Sequence, residues 1–352
     1  MGVDYRKPEY REKVFQDFYE FHLRYRSHPG CVYYLMPYLK EKLNWNQEEA
    51  LWFAFLNGNT QNPVTSYILH KRFPKPEQHR ELIAFYRENY ARLEFDTDRR
   101  YHKKSLEDAI QSYLGMVGNS QKDFWHATAA NGFSAMWETA RRINTFGRLS
   151  AFSYLEYLRI MGVPFDCDTL FIDDISGSRS HRNGLCIVAG LDRYDWHQSN
   201  PDFDGRYNKE LLQGLVSKGE DLLIEAKKRA KGKEWEYDVS YFTLESTLCT
   251  YKSWHRPNRR YPNVYNDMLA GRIKKNEENW PEEDLSIFWK ARRDCLPPHL
   301  RIEDSENDLG LHPIKQNHYR TTGQVIMMDK EYPEYANDYN EAVDEGTIKE
   351  WL

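Results

Sequence analysis

The sequence predicts a mainly α-helical protein. Several stretches repeat apolar residues at helical spacing. Strand signals are few, and the best short apolar run, 185–189, suits a buried helix equally well. The chain has 352 residues, 40% of them hydrophobic, enough for a sizeable core in one large domain or two lobes.

Taken in order, residues 14–43 alternate aromatic and polar residues in a mostly helical pattern, broken by Pro29 and Gly30. Residues 51–73 read as a long helix or a helix pair. A wholly apolar run from Leu51 to Leu56 turns polar at Gly58-Asn59-Thr60-Gln61-Asn62, and Pro74 ends the segment. In 149–161, Ala151, Leu155 and Leu158 fall at i, i+4 and i+7, the stripe of an amphipathic helix. Leu212, Leu215, Val216, Leu222 and Leu223 mark another over 212–226, and a third spans about 239–252. We expect one two-lobed unit over 1–304, with lobes of 51–164 and of 1–50 plus 165–304. Residues 305–352 form an acidic, Tyr-rich tail. No internal repeat or low-complexity linker interrupts the chain.

Composition narrows the function classes. A net charge of −5 argues against a protein that coats DNA by charge alone. Local basic clusters exist at Arg99, Arg100, Lys103 and Lys104 and at Lys252, Arg256, Arg259 and Arg260, although such runs are usually solvated faces. Aromatic residues reach 15%, with 25 Tyr and 10 Trp. Most belong to core packing, while some rings suit stacking on nucleobases. The five cysteines are widely spaced with no CxxC pair, against a zinc knuckle, an iron–sulfur cluster or a disulfide framework. The N-terminus is charged without an apolar signal core, and no run approaches a membrane span. A cytoplasmic monomer is expected.

Four constellations carry candidate chemistry. The amides of Asn59, Gln61 and Asn62, with Thr60, either cap a turn before Pro63 or read base edges and phosphates. Gly147-Arg148 opens a helix whose free N–H groups suit an anion, and Asp168 beyond that helix suits a base or a plain cap. The polar loop Asp173 to Asn183 holds paired carboxylates, including Asp174, for an amine or a divalent metal. Its Arg179, Ser180, His181 and Arg182 suit phosphate. Finally, Glu245, Cys249 and Lys252 share one helix face, followed by Arg256, Arg259, Arg260 and Tyr261. Basic and aromatic residues interleaved in this way fit a flipped or single-stranded nucleotide, or else form a solvated loop.

The strings Gly147-Arg148-Leu149-Ser150-Ala151 and Cys167-Asp168-Thr169 resemble helix–hairpin–helix DNA glycosylases. There a glycine hairpin opens a helix and an acidic residue follows it. The match departs at two points: one clear glycine stands where two are usual, and Leu149 occupies the place of the Schiff-base lysine. Leucine has no amine, so lyase chemistry through that position is impossible. The strings Gly58-Asn59-Thr60-Gln61-Asn62-Pro63, Ser180-His181-Arg182-Asn183-Gly184 and Arg259-Arg260-Tyr261-Pro262 are similar to the phage α-glutamyl/putrescinyl-thymine pyrophosphorylases. These are amino acid:DNA transferases thought to derive from the glycosylase scaffold. The likeness covers roughly 32–281.

The resemblance implies a glycosylase-like helical fold in a bacteriophage enzyme acting inside its infected host. It would replace the activated hydroxyl of 5-hydroxymethyluracil in DNA with an amine from an amino acid or polyamine. Asp168 would be the base, with Asp174 and His181 also catalytic. Arg179, His181 and Arg182, or Arg259 and Arg260, would hold the leaving phosphate. Asn59, Gln61 and Asn62 would hold the flipped base, and Lys252 the donor carboxylate. No metal or organic cofactor is demanded. A monofunctional glycosylase and a non-catalytic reader of modified DNA are the competing readings.

Overall fold

A computed structural model describes residues 7–26, 31–175, 177, 179–191, 206–254, 269–295 and 332, excluding the side chains of 252–254. The described residues are mostly helical, with no strand among them. The order begins α1 (Pro8–Tyr25), α2 (Val32–Lys42), α3 (Gln47–Thr60), α4 (Pro63–Arg72) and α5 (His79–Glu88). It continues with α6 (Arg100–Lys104), α7 (Leu106–Val117), α8 (Gln121–Ala129), α9 (Gly132–Ala140) and α10 (Arg148–Ile160). The last five are α11 (Ser180–Val188), α12 (Lys209–Ala230), α13 (Tyr241–Trp254), α14 (Leu269–Asn279) and α15 (Ser286–Cys295).

The 51–73 segment is a helix pair. Asn46 and Glu49 form a reciprocal capping box at the start of α3, each side chain 3.0 Å from the other's backbone nitrogen. Gln61 ends α3 in the left-handed region at φ 49°. Asn62 then caps α4, its Oδ1 accepting from the Val64 and Thr65 backbone N–H groups, with Pro63 at the first helical position. The apolar run at 185–189 belongs mostly to α11. That helix begins at Ser180, so Ser180 to Asn183 are helical and not loop. The apolar stripe that packs α11 extends backward through this polar stretch, and His181, Arg182 and Asn183 are all buried.

Buried side chains form two cores. One gathers α2 to α5, α7 to α10, α14 and α15. The other gathers α1 and α11 to α13. Rings bridge α10 and α13, with the Phe152 and Phe242 centroids 5.0 Å apart. Tyr332, the one described residue of the C-terminal segment, packs on the second core and accepts from Arg24 at 3.4 Å.

Candidate functional site

Where the two cores meet, a small recess opens between α9, α10, α11 and α13. Its wall is apolar: Trp137, Leu149, Phe152, Leu170 and Phe171. Three polar side chains, Arg148, His181 and Glu245, complete it. The Trp137 and Phe171 rings lie 4.6 Å apart at 36°, and Phe152 stands edge-on to Phe171 at 6.3 Å. Phe171 is held at φ 53°, a conformation uncommon for an aromatic residue, which turns the chain sharply.

Arg148 begins α10. Its guanidinium sits 5.1 Å from the Phe171 ring centroid and 5.8 Å from that of Trp137, and it pairs with Asp174. The arginine is only partly buried, so it presents a cation at the edge of an aromatic surface. The loop carrying Asp174 is fixed from behind. Arg182, fully buried, donates from Nε to the Ile172 carbonyl at 2.9 Å and from Nη2 to the Asp174 carbonyl at 2.6 Å. The neighbouring Asn183 accepts from the Tyr207 hydroxyl at 2.8 Å.

His181 and Glu245 face each other across the α11–α13 contact, with Nδ1 3.3 Å from Oε1. Cys249, one turn along α13, donates to the same carboxylate oxygen at 3.4 Å. Gly184 allows this approach. A Cβ there would lie 2.2 Å from the Leu248 carbonyl oxygen, so only hydrogen fits. Gly184 and Leu248 stand three residues beyond His181 and Glu245 on their respective helices, so the glycine contact also sets the His–Glu separation.

Glu156 on α10 is a further carboxyl near this cluster. Burial pushes it up to about 8, opposed by the Tyr33 hydroxyl donating at 2.8 Å and reinforced by the charge of Glu245. At neutral pH a carboxyl of this kind is largely protonated.

The other anticipated residues are distributed differently. Asn59, Thr60 and Asn62 are buried at the α3–α4 junction and engaged there. Thr60 Oγ1 lies 2.6 Å from Ser66 Oγ, and Asn59 donates to the Phe55 carbonyl at 2.9 Å. His102 bridges Asn59 at 3.2 Å and Ser150 at 2.7 Å, linking this polar run to the first turn of α10. Burial lowers His102 to about 4, so it is neutral in the pH range of cells. Gln61 is half-buried, and Gly147 is exposed as the α10 N-cap. Asp168 and Arg179 are exposed and outside the recess lining, and Ser180 is half-buried at the start of α11. Lys252 lies on α13, but its side chain falls outside the described residues, as do Arg256, Arg259, Arg260 and Tyr261 entirely.

The sequence reading missed Trp137, Phe152, Phe171 and Glu156. Leu149, Phe152 and Glu156 sit at i, i+3 and i+7, a signal that could have marked one helix face. No spacing rule links Trp137 to Phe171.

The recess therefore brings together aromatic side chains, a partly exposed cation and the neighbouring His181 and Glu245. Residues 31–260 match the family described as amino acid:DNA transferase, and the chain belongs to that family. It is accordingly a transferase whose substrate is DNA and whose donor is an amino acid. The chain is similar to a serinyltransferase of Salmonella phage ViI, 28% identical over 330 residues that cover 86% of this chain and 78% of the relative. No solved structure matches it. Among the described residues, no helix is long and apolar enough to cross a membrane.

Proposed function

We propose that the protein joins an amino acid to the activated 5-hydroxymethyl group of uracil in DNA, with the recess as the reaction site. The observation that carries this reading is the placing of Arg148 and the His181–Glu245 pair around one aromatic slot. A flipped pyrimidine would stack against Trp137 and Phe171, with Phe152 edge-on. Arg148 would exchange Asp174 for the departing phosphate or pyrophosphate and neutralise the charge that develops as the C–O bond breaks. Glu245, beside His181, would accept the proton lost by the attacking amine. Asp168, exposed outside the recess, would serve a proton relay or DNA contact in this scheme and not the first proton transfer.

The step balances as follows. The donor nitrogen forms a bond to the exocyclic methylene, the methylene–oxygen bond breaks, and the electron pair leaves with phosphate or pyrophosphate. The proton goes to Glu245. No oxidant or reductant is consumed.

The phage relative's name supports serine as the donor. A glycosylase-derived scaffold, a monomeric enzyme and action in an infected bacterial cell belong to the same proposal. The buried Asn59–His102–Ser150 chain would act by holding the start of α10, and with it Arg148.

The test is mass spectrometry of nucleosides after incubation with kinase-activated 5-hydroxymethyluracil DNA and a pool of amino acids. One donor adduct per modified base is expected. Reductive methylation then distinguishes attachment through serine nitrogen from attachment through its hydroxyl, which would overturn the amine as nucleophile. Free base and abasic sites would overturn transfer in favour of a glycosylase.

A further inference from the structure

The His181–Glu245 pair has a third neighbour whose chemistry the proposed transfer does not use. The ligand atoms of His181, Glu245 and Cys249 all lie within 4.8 Å of one another. The imidazole is 3% exposed. Its Nδ1, although 3.3 Å from the Glu245 carboxylate, is not aligned for a hydrogen bond. Among the described residues neither ring nitrogen has a hydrogen-bond partner. An imidazole held in this way is short of an electrophile, and a metal ion would supply one.

We infer that His181, Glu245 and Cys249 form a binding site for one divalent ion of the zinc class. The donor set of one nitrogen, one oxygen and one sulfur suits borderline-soft zinc, whereas magnesium and calcium take oxygen ligands. Three protein ligands leave a fourth position open, and two of the three, His181 and Glu245, line the recess. The ligands come from two helices locked together at Gly184, which holds the donors in place before an ion arrives. Binding deprotonates the Cys249 thiol, its proton passing to solvent. On the transfer scheme above, an ion here withdraws Glu245 and His181 from proton transfer, so the zinc-loaded enzyme is silent and chelation restores it.

The experiment uses the full chain, stripped with chelator and titrated with zinc or, as a spectroscopic probe, cobalt. One ion per chain is expected, with a thiolate-to-cobalt charge-transfer band. Cys249→Ser removes that band and weakens zinc binding by roughly 10- to 100-fold or more. Glu245→Gln weakens it as well, and circular dichroism checks that both variants keep the helical spectrum. Binding of less than one ion per chain overturns the site, as does a cobalt–thiolate band that persists in Cys249→Ser. Stoichiometric binding by an enzyme that stays fully active when loaded leaves the metal site standing and refutes the proton role given to Glu245.

Discussion

Gly184→Ala tests how the site is positioned. The added Cβ would fall 2.2 Å from the Leu248 carbonyl oxygen and 2.8 Å from its carbon, where ordinary contact begins at 3.4 Å. Both obstacles are backbone, so no rotamer change relieves them, and α11 and α13 must part by roughly 1 Å. Overpacking of this kind costs ~1–3 kcal/mol. Alanine recovers ~1 kcal/mol of helix propensity over glycine, leaving a net loss of about 0–2 kcal/mol. In a chain of this size that lowers Tm by only a few degrees. The functional loss is larger, because His181 and Glu245 lie one turn before the obstructed contact. A displacement near 1 Å costs about 100-fold in a catalytic geometry. Scanning calorimetry reads the first effect and the rate of adduct formation the second. Gly214→Ala is the control: the glycine is exposed on α12 and a Cβ there meets nothing within 4 Å. It should leave transfer intact and stability equal or slightly higher. Were Gly184→Ala to keep both Tm and transfer within twofold, the idea that this contact fixes the acid–base pair would fail.

Other predictions follow from the same geometry. Arg148→Ala removes the cation at the slot's edge and should lower transfer by ~10²–10³-fold with little change in Tm; a loss under fivefold assigns the leaving group to another residue. Trp137→Ala should weaken binding of activated DNA more than it slows the bound step, seen as a rise in KM. For Glu156, the folded-state value of about 8 lies above the ordinary carboxyl value of 4.5. Its contribution is therefore complete below about 4.5 and is lost as pH rises to about 8. Glu156→Gln, which still accepts from Tyr33, should flatten the fall in Tm across that window, and an unchanged profile would remove Glu156 from the account. His22, His70 and His102 behave oppositely, since burial lowers each from 6.5 to about 4. Their contribution is present above 6.5 and is lost as pH falls toward about 4. His102→Gln should reduce acid sensitivity in a melting series over that range while lowering Tm at neutral pH.

Helix class and most helix positions were legible in the chain because apolar spacing is a local property. The 149–161, 212–226 and 239–252 readings differ from α10, α12 and α13 mainly at their ends, where caps and neighbouring packing decide the last turn. Pro63 and Asn62 announced the α3–α4 break in the same local way. The strings at Gly58, Ser180 and Arg259 also carried the family, since each keeps its order whatever surrounds it. What local pattern left open was which polar residues meet. Asn59, Thr60 and Asn62 read as candidate base contacts; the helices around them enclose all three, Thr60 bonding to Asn62 and Asn59 to His102. Trp137, Phe171 and Glu245 are remote in sequence, and nothing in their own surroundings marks them as partners. The two cores bring them together, and one backbone contact at Gly184 draws His181, Glu245 and Cys249 within ligand distance. The sequence thus determined the helices and the kinship by itself. Tertiary packing alone decided the site, because its distances arise from helices crossing and not from any spacing along the chain.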